Sequence, residues 1–239
     1  MVSVSTAPAP DDRPAFAPTG GPAYVALVAV FAPLLLISNI AATKGVGLGP
    51  LPGGFTIVTD GGFLLFPLAY VLGDVLSEIY GFRAARRAVL LGFAVSVLGA
   101  ASFWAVMALP PADFYDGQSA FETVFRAFFQ VLLASLAGYL VGQLLNAYVL
   151  VWMKRRTGGR HLWARLVGSS VVGEFFDTLV FCLIAAGAIG ISATSDLVTY
   201  VAVGFVYKTA VEIVLLPVSY RLIAAVKRRE PGYGPGGDR

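Results

Sequence analysis

One cysteine, Cys182, and one histidine, His161, are present in 239 residues. A single cysteine can form neither an internal disulfide nor a Cys-x-x-Cys pair, and a single histidine cannot found a histidine-rich metal site. Charge is equally scarce: Asp, Glu, Lys and Arg make up 13% of the chain, against roughly a quarter in soluble domains. No HExxH, GxSxG or P-loop pattern occurs, so no motif supports a zinc protease, a serine hydrolase or ATP hydrolysis. No cofactor and no metal are therefore expected. The net charge of +3 does not point to nucleic acid, because the basic residues sit in short stretches between apolar runs. Residues 1–21 lack the basic start, short apolar core and cleavage site of a signal peptide. Their Pro, Ala, Ser and Thr content reads as a disordered cytoplasmic tail.

What the chain has in abundance is apolar sequence. Hydrophobic residues make up 57% of it, in runs longer than the roughly 20 residues that cross about 30 Å of hydrocarbon. The fold class expected is an all-α integral membrane protein. Its six transmembrane helices fall near 23–43, 63–81, 87–109, 124–152, 164–190 and 197–226. The transmembrane domain spans 22–229, with a second disordered cytoplasmic tail at 230–239. Arg83, Arg86 and Arg87 follow the second span; Lys154, Arg155, Arg156, Arg160 and Arg165 follow the fourth; Lys227, Arg228 and Arg229 follow the sixth. The opposite loops carry Asp60, Asp113, Asp116 and Glu122. Basic residues concentrate on the cytoplasmic side, so both termini are expected there. Between the first two spans, short apolar runs around Thr59-Asp60-Gly61-Gly62 read either as a small hairpin or as an ordinary extracellular turn. Pro67 falls inside the expected second span, where it would favour a kink.

Several spans carry groups that lipid does not solvate. An ionised side chain at the bilayer centre costs roughly 2.5–3.5 kcal/mol on insertion scales. Asp74 and Glu78 lie i,i+4 on one helical face with Tyr70 and Pro67, so that face must look into protein or water. Glu174 and Asp177 share the fifth span, and Lys208 and Glu212 the sixth. Lys208 requires a carboxylate partner, with Glu212, Asp177 and Asp74 as candidates. Asn39 in the first span, and Gln143 and Asn146 in the fourth on the face of Tyr139, are candidates for ligand contact or for interhelical hydrogen bonding. Glu78 either belongs to the site or meets the arginines that follow it. The two halves echo each other: Asn39 precedes Asp74 much as Asn146 precedes Asp177. Three spans per half would give the halves opposite orientation, the arrangement of inverted-repeat transporters with a site near the midplane.

The string TDGGFLLFPLAYVLGDVLSEIYGFRAAR (59–86) resembles the signature of the queuosine precursor transporters, also called the vitamin uptake transporter family. SVVGEFFDTLVF (170–181) and YKTAVEIVLLP (207–217) are similar to its later motifs, in the same order. One departure is Glu174, where relatives are expected to carry glutamine. The resemblance implies a multi-pass protein of the bacterial cytoplasmic membrane that imports 7-deazaguanine precursors such as preQ0 and preQ1. Its substrate site would draw on Asp74, Asp177, Glu174, Asn39, Gln143, Asn146, Tyr70, Phe66, Lys208 and Glu212. A guanine-like edge presents paired donors that a carboxylate accepts, and a planar ring stacks on aromatic faces; Phe175, Phe176, Phe181 and Tyr207 also lie beside the acids. The partners implied are the small-molecule deazaguanine and membrane lipid, with no nucleic acid and no ATPase subunit, and a homodimer is left open. Two other readings compete: the substrate-binding subunit of an energy-coupled vitamin importer, and a membrane-embedded enzyme using paired carboxylates.

Overall fold

A computed structural model describes residues 15–48, 57–185, 194–230 and 232–235. Strand β1 (Ala15–Phe16) leads to helix α1 (Pro22–Ala41), which opens with Pro22 in its first turn, where the missing N–H has no intrahelical acceptor to lose. Strands β2 (Gly45–Leu48) and β3 (Ile57–Asp60) follow, then a 3-10 turn at Gly61–Leu64 and helix α2 (Phe66–Met107). Helices α3 (Gln118–Arg156), α4 (Leu162–Ala185) and α5 (Thr194–Arg229) complete the bundle, and strand β4 (Gly234–Pro235) ends the described chain. Among the described residues, five helices are long and apolar enough to cross a membrane. The membrane fold class is therefore what the sequence led one to expect. The last residues of the expected fifth span, 186–190, lie outside the described residues.

The second and third expected spans are continuous in α2. At about 1.5 Å per residue a straight 42-residue helix would reach about 63 Å, twice the hydrocarbon thickness. It is not straight: Gly81 adopts φ 81° and ψ 175°, a backbone region essentially reserved for glycine. The chain therefore turns at Gly81, and the arginines expected in a loop instead ride on the first turns of the second helical segment.

Two local expectations are corrected. The hairpin does not fold about Asp60-Gly61-Gly62. Its strands are β2 and β3, antiparallel with Gly45 opposite Asp60 and Leu48 opposite Ile57, while residues 49–56 between them lie outside the described residues. The glycines instead start the 3-10 turn, where the Gly61 N–H donates to the Lys44 carbonyl at 2.8 Å. Pro67, in turn, kinks nothing. The helix begins at Phe66, so Pro67 sits in the first turn, where a proline removes no needed hydrogen bond.

Close helix approach rests on small residues, as membrane interiors require in the absence of a hydrophobic drive between helices. A Cβ at Gly142 of α3 would lie 2.6 Å from Asp177 Cβ and 2.7 Å from the Gly173 carbonyl of α4; one at Gly138 would lie 2.6 Å from the Asp177 carbonyl. The Gly138-x-x-x-Gly142 stretch thus lets the backbones of α3 and α4 touch. On the other side, Gly92 and Gly99 of α2 receive Leu35 and Leu36 of α1. The core gathers Phe31, Leu35, Tyr70, Leu76, Ile79, Tyr80 and Leu150. Outward, Val30, Ile37, Leu98, Leu133 and Val214 are exposed, a belt suited to lipid, and exposed Trp104, Trp152 and Trp163 match the amphipathic rings found at membrane interfaces.

Candidate functional site

Asp74, in the first segment of α2, and Asn146, in α3, face each other: the Asn146 amide Nδ2 donates to Asp74 Oδ1 at 2.7 Å, with both residues buried. One turn earlier on α3, Gln143 points at Gly73, where a Cβ would fall 1.6 Å from its Nε2. Glycine at 73 is what admits the amide. Tyr70 and Tyr139 meet edge to face at 5.5 Å between ring centroids, and Phe66 lies 6.1 Å from Tyr139. The α3–α4 glycine contact then carries Asp177 to the same region, and Glu174 lies one turn before it.

Lys208 of α5 donates to Asp177 Oδ2 and lies 3.9 Å from Glu174 Oε2. Of the three carboxylates available to it on sequence grounds, Asp177 is the partner. Glu212, one turn further along α5, instead accepts a hydrogen bond from the Ser170 hydroxyl of α4. Asp74, Glu174, Asp177 and Glu212 are all at most 6% exposed, and the Tyr139 hydroxyl lies within the electrostatic reach of all four. Asn39 is buried, and its amide bonds back to the Leu35 carbonyl of its own helix at 2.8 Å; none of these contacts joins it to the others.

The cluster holds polar atoms that no protein group satisfies. Among the described residues, Tyr70 and Tyr139 Oη, both amide atoms of Gln143, Asn146 Oδ1, Glu174 Oε2, Thr178 Oγ1 and Glu212 Oε2 are buried without a hydrogen-bond partner. Native interiors leave very few such atoms, because each costs about 1–3 kcal/mol. A concentration of them at one place is the property of a surface shaped for a polar ligand. Hydroxyls, amide atoms and two carboxylate oxygens are among them, so both donors and acceptors are present. Among the described residues no group of three Asp, Glu, His or Cys is arranged to hold a metal ion.

Glu78 belongs to a different network. Fully buried, it receives Arg165 of α4 through both carboxylate oxygens at 3.0 and 3.1 Å, Lys227 of α5 at 3.1 Å, and Lys154 of α3 at 3.4 Å. Lys154 also donates to the Glu78 backbone carbonyl. The Lys154 ammonium sits 4.4 Å over the Phe16 ring, and Lys227 sits 4.8 Å over Tyr233. Short segments from both expected tails thus cover this knot: β1 pairs with β4, Ala17 N–H donates to the Ile79 carbonyl at 2.7 Å, and Glu230 accepts from Tyr80 at 2.8 Å.

Several of these residues were not singled out from sequence, although Tyr139 was already placed on the face of Gln143 and Asn146. Lys154, Arg165 and Lys227 read there only as loop charges that set orientation. The signal that could have separated them was the need of a buried Glu78 for cations. Ser170 sits one helical turn before the candidate Glu174, and that i,i+4 spacing could have flagged it. Phe175 and Phe176, considered as stacking residues, are about two-fifths exposed and pack edge to face on each other, away from the buried acids.

Comparison with known proteins gives consistent matches. The family model described as "Putative vitamin uptake transporter" matches residues 60–222, from the end of β3 into the last turns of α5. A protein of Bacillus subtilis (strain 168), "Probable queuosine precursor transporter", is 31% identical over 184 residues, which cover 77% of this chain and 77% of that protein. Both descriptions are of transporters and neither is of an enzyme. No solved structure matches.

Proposed function

This chain belongs to the vitamin uptake transporter family, and from that premise we propose that it imports queuosine precursors, 7-deazaguanines of the preQ0 and preQ1 type, across a bacterial cytoplasmic membrane. The observation that carries the reading is the buried polar cluster around Asp74, Gln143, Asn146 and Asp177, with its unpartnered atoms beside the rings of Tyr70 and Phe66. A deazaguanine offers a ring N–H and an exocyclic amine side by side, which one carboxylate accepts together. Its flat ring suits an aromatic wall. In this reading Asp74 and Asp177 take the donor edge, Glu174, Gln143 and Asn146 complete the polar contacts, and Lys208 keeps Asp177 neutralised until cargo arrives.

The crossing scheme follows from the break at Gly81. The two segments of α2 make the second and third crossings, giving six in all. The break with Arg83, Arg86 and Arg87, the α3–α4 turn, and both termini face the cytoplasm. The halves α1 with α2, and α3 to α5, then run in opposite senses, with Asp74 and Asp177 in corresponding helices. Single cysteines introduced at Asp113 and Gly159 should label from the outside and the inside respectively, and the reverse pattern refutes the scheme.

The functional test is uptake of labelled preQ0 and preQ1 by purified protein in liposomes, which needs no ATPase subunit if the chain is complete in itself. In Asp74→Asn and Asp177→Asn, one acceptor of the pair becomes a donor facing a donor. The loss of a charge-assisted bond costs about 1.5–3 kcal/mol, or about one to two orders of magnitude in affinity. Unchanged binding by both folded variants would remove these carboxylates from the cargo site.

A further inference from the structure

Four buried carboxylates, Asp74, Glu174, Asp177 and Glu212, share the interior with the ammonium of Lys208. A membrane interior does not hold that many uncompensated charges, so protons or cargo must make up the balance. The partners of each acid identify the one suited to carry a proton. Asp177 has the Lys208 ammonium, which also lies 3.9 Å from Glu174. Asp74 accepts the Asn146 Nδ2–H, and a hydrogen bond donated to a carboxylate favours its ionised form. Among the described residues, Glu212 has the Ser170 hydroxyl alone, and its Oε2 has no partner. A hydroxyl can donate to a carboxylate or rotate and accept from a carboxylic acid, so it serves both protonation states.

We propose that Glu212 is the proton-binding group of the transport cycle, taking up one proton at Oε2 on the outward side and releasing it inward with each cargo molecule. The proposal rests on the transport reading above and deepens it to proton symport. Glu212 and Ser170 line a small cleft between α4 and α5 whose other walls are Val167, Thr209, Ile213 and Leu216. Largely apolar walls make a bare charge costly there and admit a neutral acid. Among the described residues, the groups within electrostatic reach of Glu212 are Asp74 and Tyr70 from α2, Tyr139 from α3 and Glu174 from α4. None is a cation. On its own helix Lys208 stands one turn earlier, but its ammonium is turned to Asp177. A proton on Glu212 therefore relieves repulsion with Asp74 and Glu174, and leaves Asp74 and Asp177 as the acceptors for cargo. Its release restores that repulsion and weakens the hold on the bound state.

The test uses the full chain in liposomes with labelled deazaguanine. Wild-type protein should accumulate cargo when the interior is made alkaline, and a protonophore should abolish the accumulation. In Glu212→Gln, the cargo exchange that remains should lose all dependence on the pH gradient. Wild-type transport indifferent to the gradient, or gradient-driven accumulation by Glu212→Gln, overturns the proposal. Infrared difference spectra of the purified protein give a readout that needs no cargo. A carboxylic-acid carbonyl band should be present at neutral pH in wild type, absent in Glu212→Gln, and lost at a different pH in Ser170→Ala. Identical bands in wild type and Glu212→Gln overturn it as well. Absence of any deazaguanine binding or exchange by wild type would defeat the transport reading instead, and the infrared band would still decide whether Glu212 carries the proton.

Discussion

Replacing Glu78 by glutamine should unlatch four helices at once. The side chain is fully buried, and its carboxylate is the common anion for Arg165, Lys227 and Lys154, which come from α4, α5 and α3. Arg165 and Lys154 are 1% and 2% exposed at the side chain, so neither can turn to water when the anion is gone. Lys227, at 29%, can. Removing one partner of a buried ion pair costs about 3–5 kcal/mol, because the other charge is left uncompensated. Here Arg165 loses both of its carboxylate contacts and Lys154 and Lys227 each lose an ion pair, which places Glu78→Gln at the upper end of that range. For a chain of this size about 3–5 kcal/mol corresponds to a melting shift of roughly 6–20 °C on soluble-protein scaling. The measurement is thermal denaturation in detergent followed by size-exclusion chromatography, with Glu78→Asp as the charge-preserving control. Adding Lys154→Met to Glu78→Gln should recover part of the loss, since it removes one of the buried cations that Glu78 balances. A Glu78→Gln protein that melts with wild type would show that the three cations find other anions or water, and the knot would then hold nothing together.

Three further substitutions probe the rest of the frame. Lys208→Met should lower thermal stability toward the low end of the about 3–5 kcal/mol for a broken buried pair, since Lys208 is 35% exposed and Asp177 only 7%; Lys208→Met with Asp177→Asn should recover part of it, and no recovery would mean that Asp177 is not the stranded partner. Gly142→Leu should separate α3 from α4, because even its Cβ would meet Asp177 Cβ at 2.6 Å; overpacking of about 1–3 kcal/mol or more should appear as loss of a monodisperse peak, and a normal peak would show that the helices part without cost. Gly81→Ala forces a side chain into a positive-φ conformation, costing about 1–3 kcal/mol in the same melting assay, and an unshifted melt would show that the break tolerates another geometry.

Much of the frame could be read from the residues, and the misses have physical causes. Apolar runs gave the helices, and Gly81 marked the end of the second expected span where the backbone breaks. That Asp74, Glu174, Asp177 and Glu212 are buried together followed from their position within such runs. Which carboxylate Lys208 meets did not follow, because it depends on how far α4 and α5 are rotated, and that rotation is set by contacts such as Gly138 and Gly142 against Asp177. The knot at Glu78 was hidden for a different reason. Orientation rules already explained the lysines and arginines at the helix ends, so nothing in the sequence demanded a second role for Lys154, Arg165 and Lys227. Between the two readings of the Asp-Gly-Gly stretch, hairpin or turn, the residues did not decide, because the stretch is a turn signal in either case. What decides between a strand and a helix after it is Pro67, which presets the first turn of α2.

One turn of α2 separates Asp74 from Glu78, yet the two acids enter opposite electrostatic surroundings. Glu78 is met by three cations and sits beneath the paired tail segments. Asp74 is met by an amide and lies within the reach of Glu174 and of Glu212. A rigid element that carries both groups couples the two regions mechanically: any displacement of α2 that changes how Asp74 faces α3 also strains the contacts of Glu78 with Arg165, Lys154 and Lys227. Those contacts are short and charged, and Arg165 and Lys154 are buried, so they resist small displacements. The acidic interior thus has a stiff end and a compliant one. Displacement at Asp74 and strain at Glu78 cannot vary independently while the single turn between them stays helical.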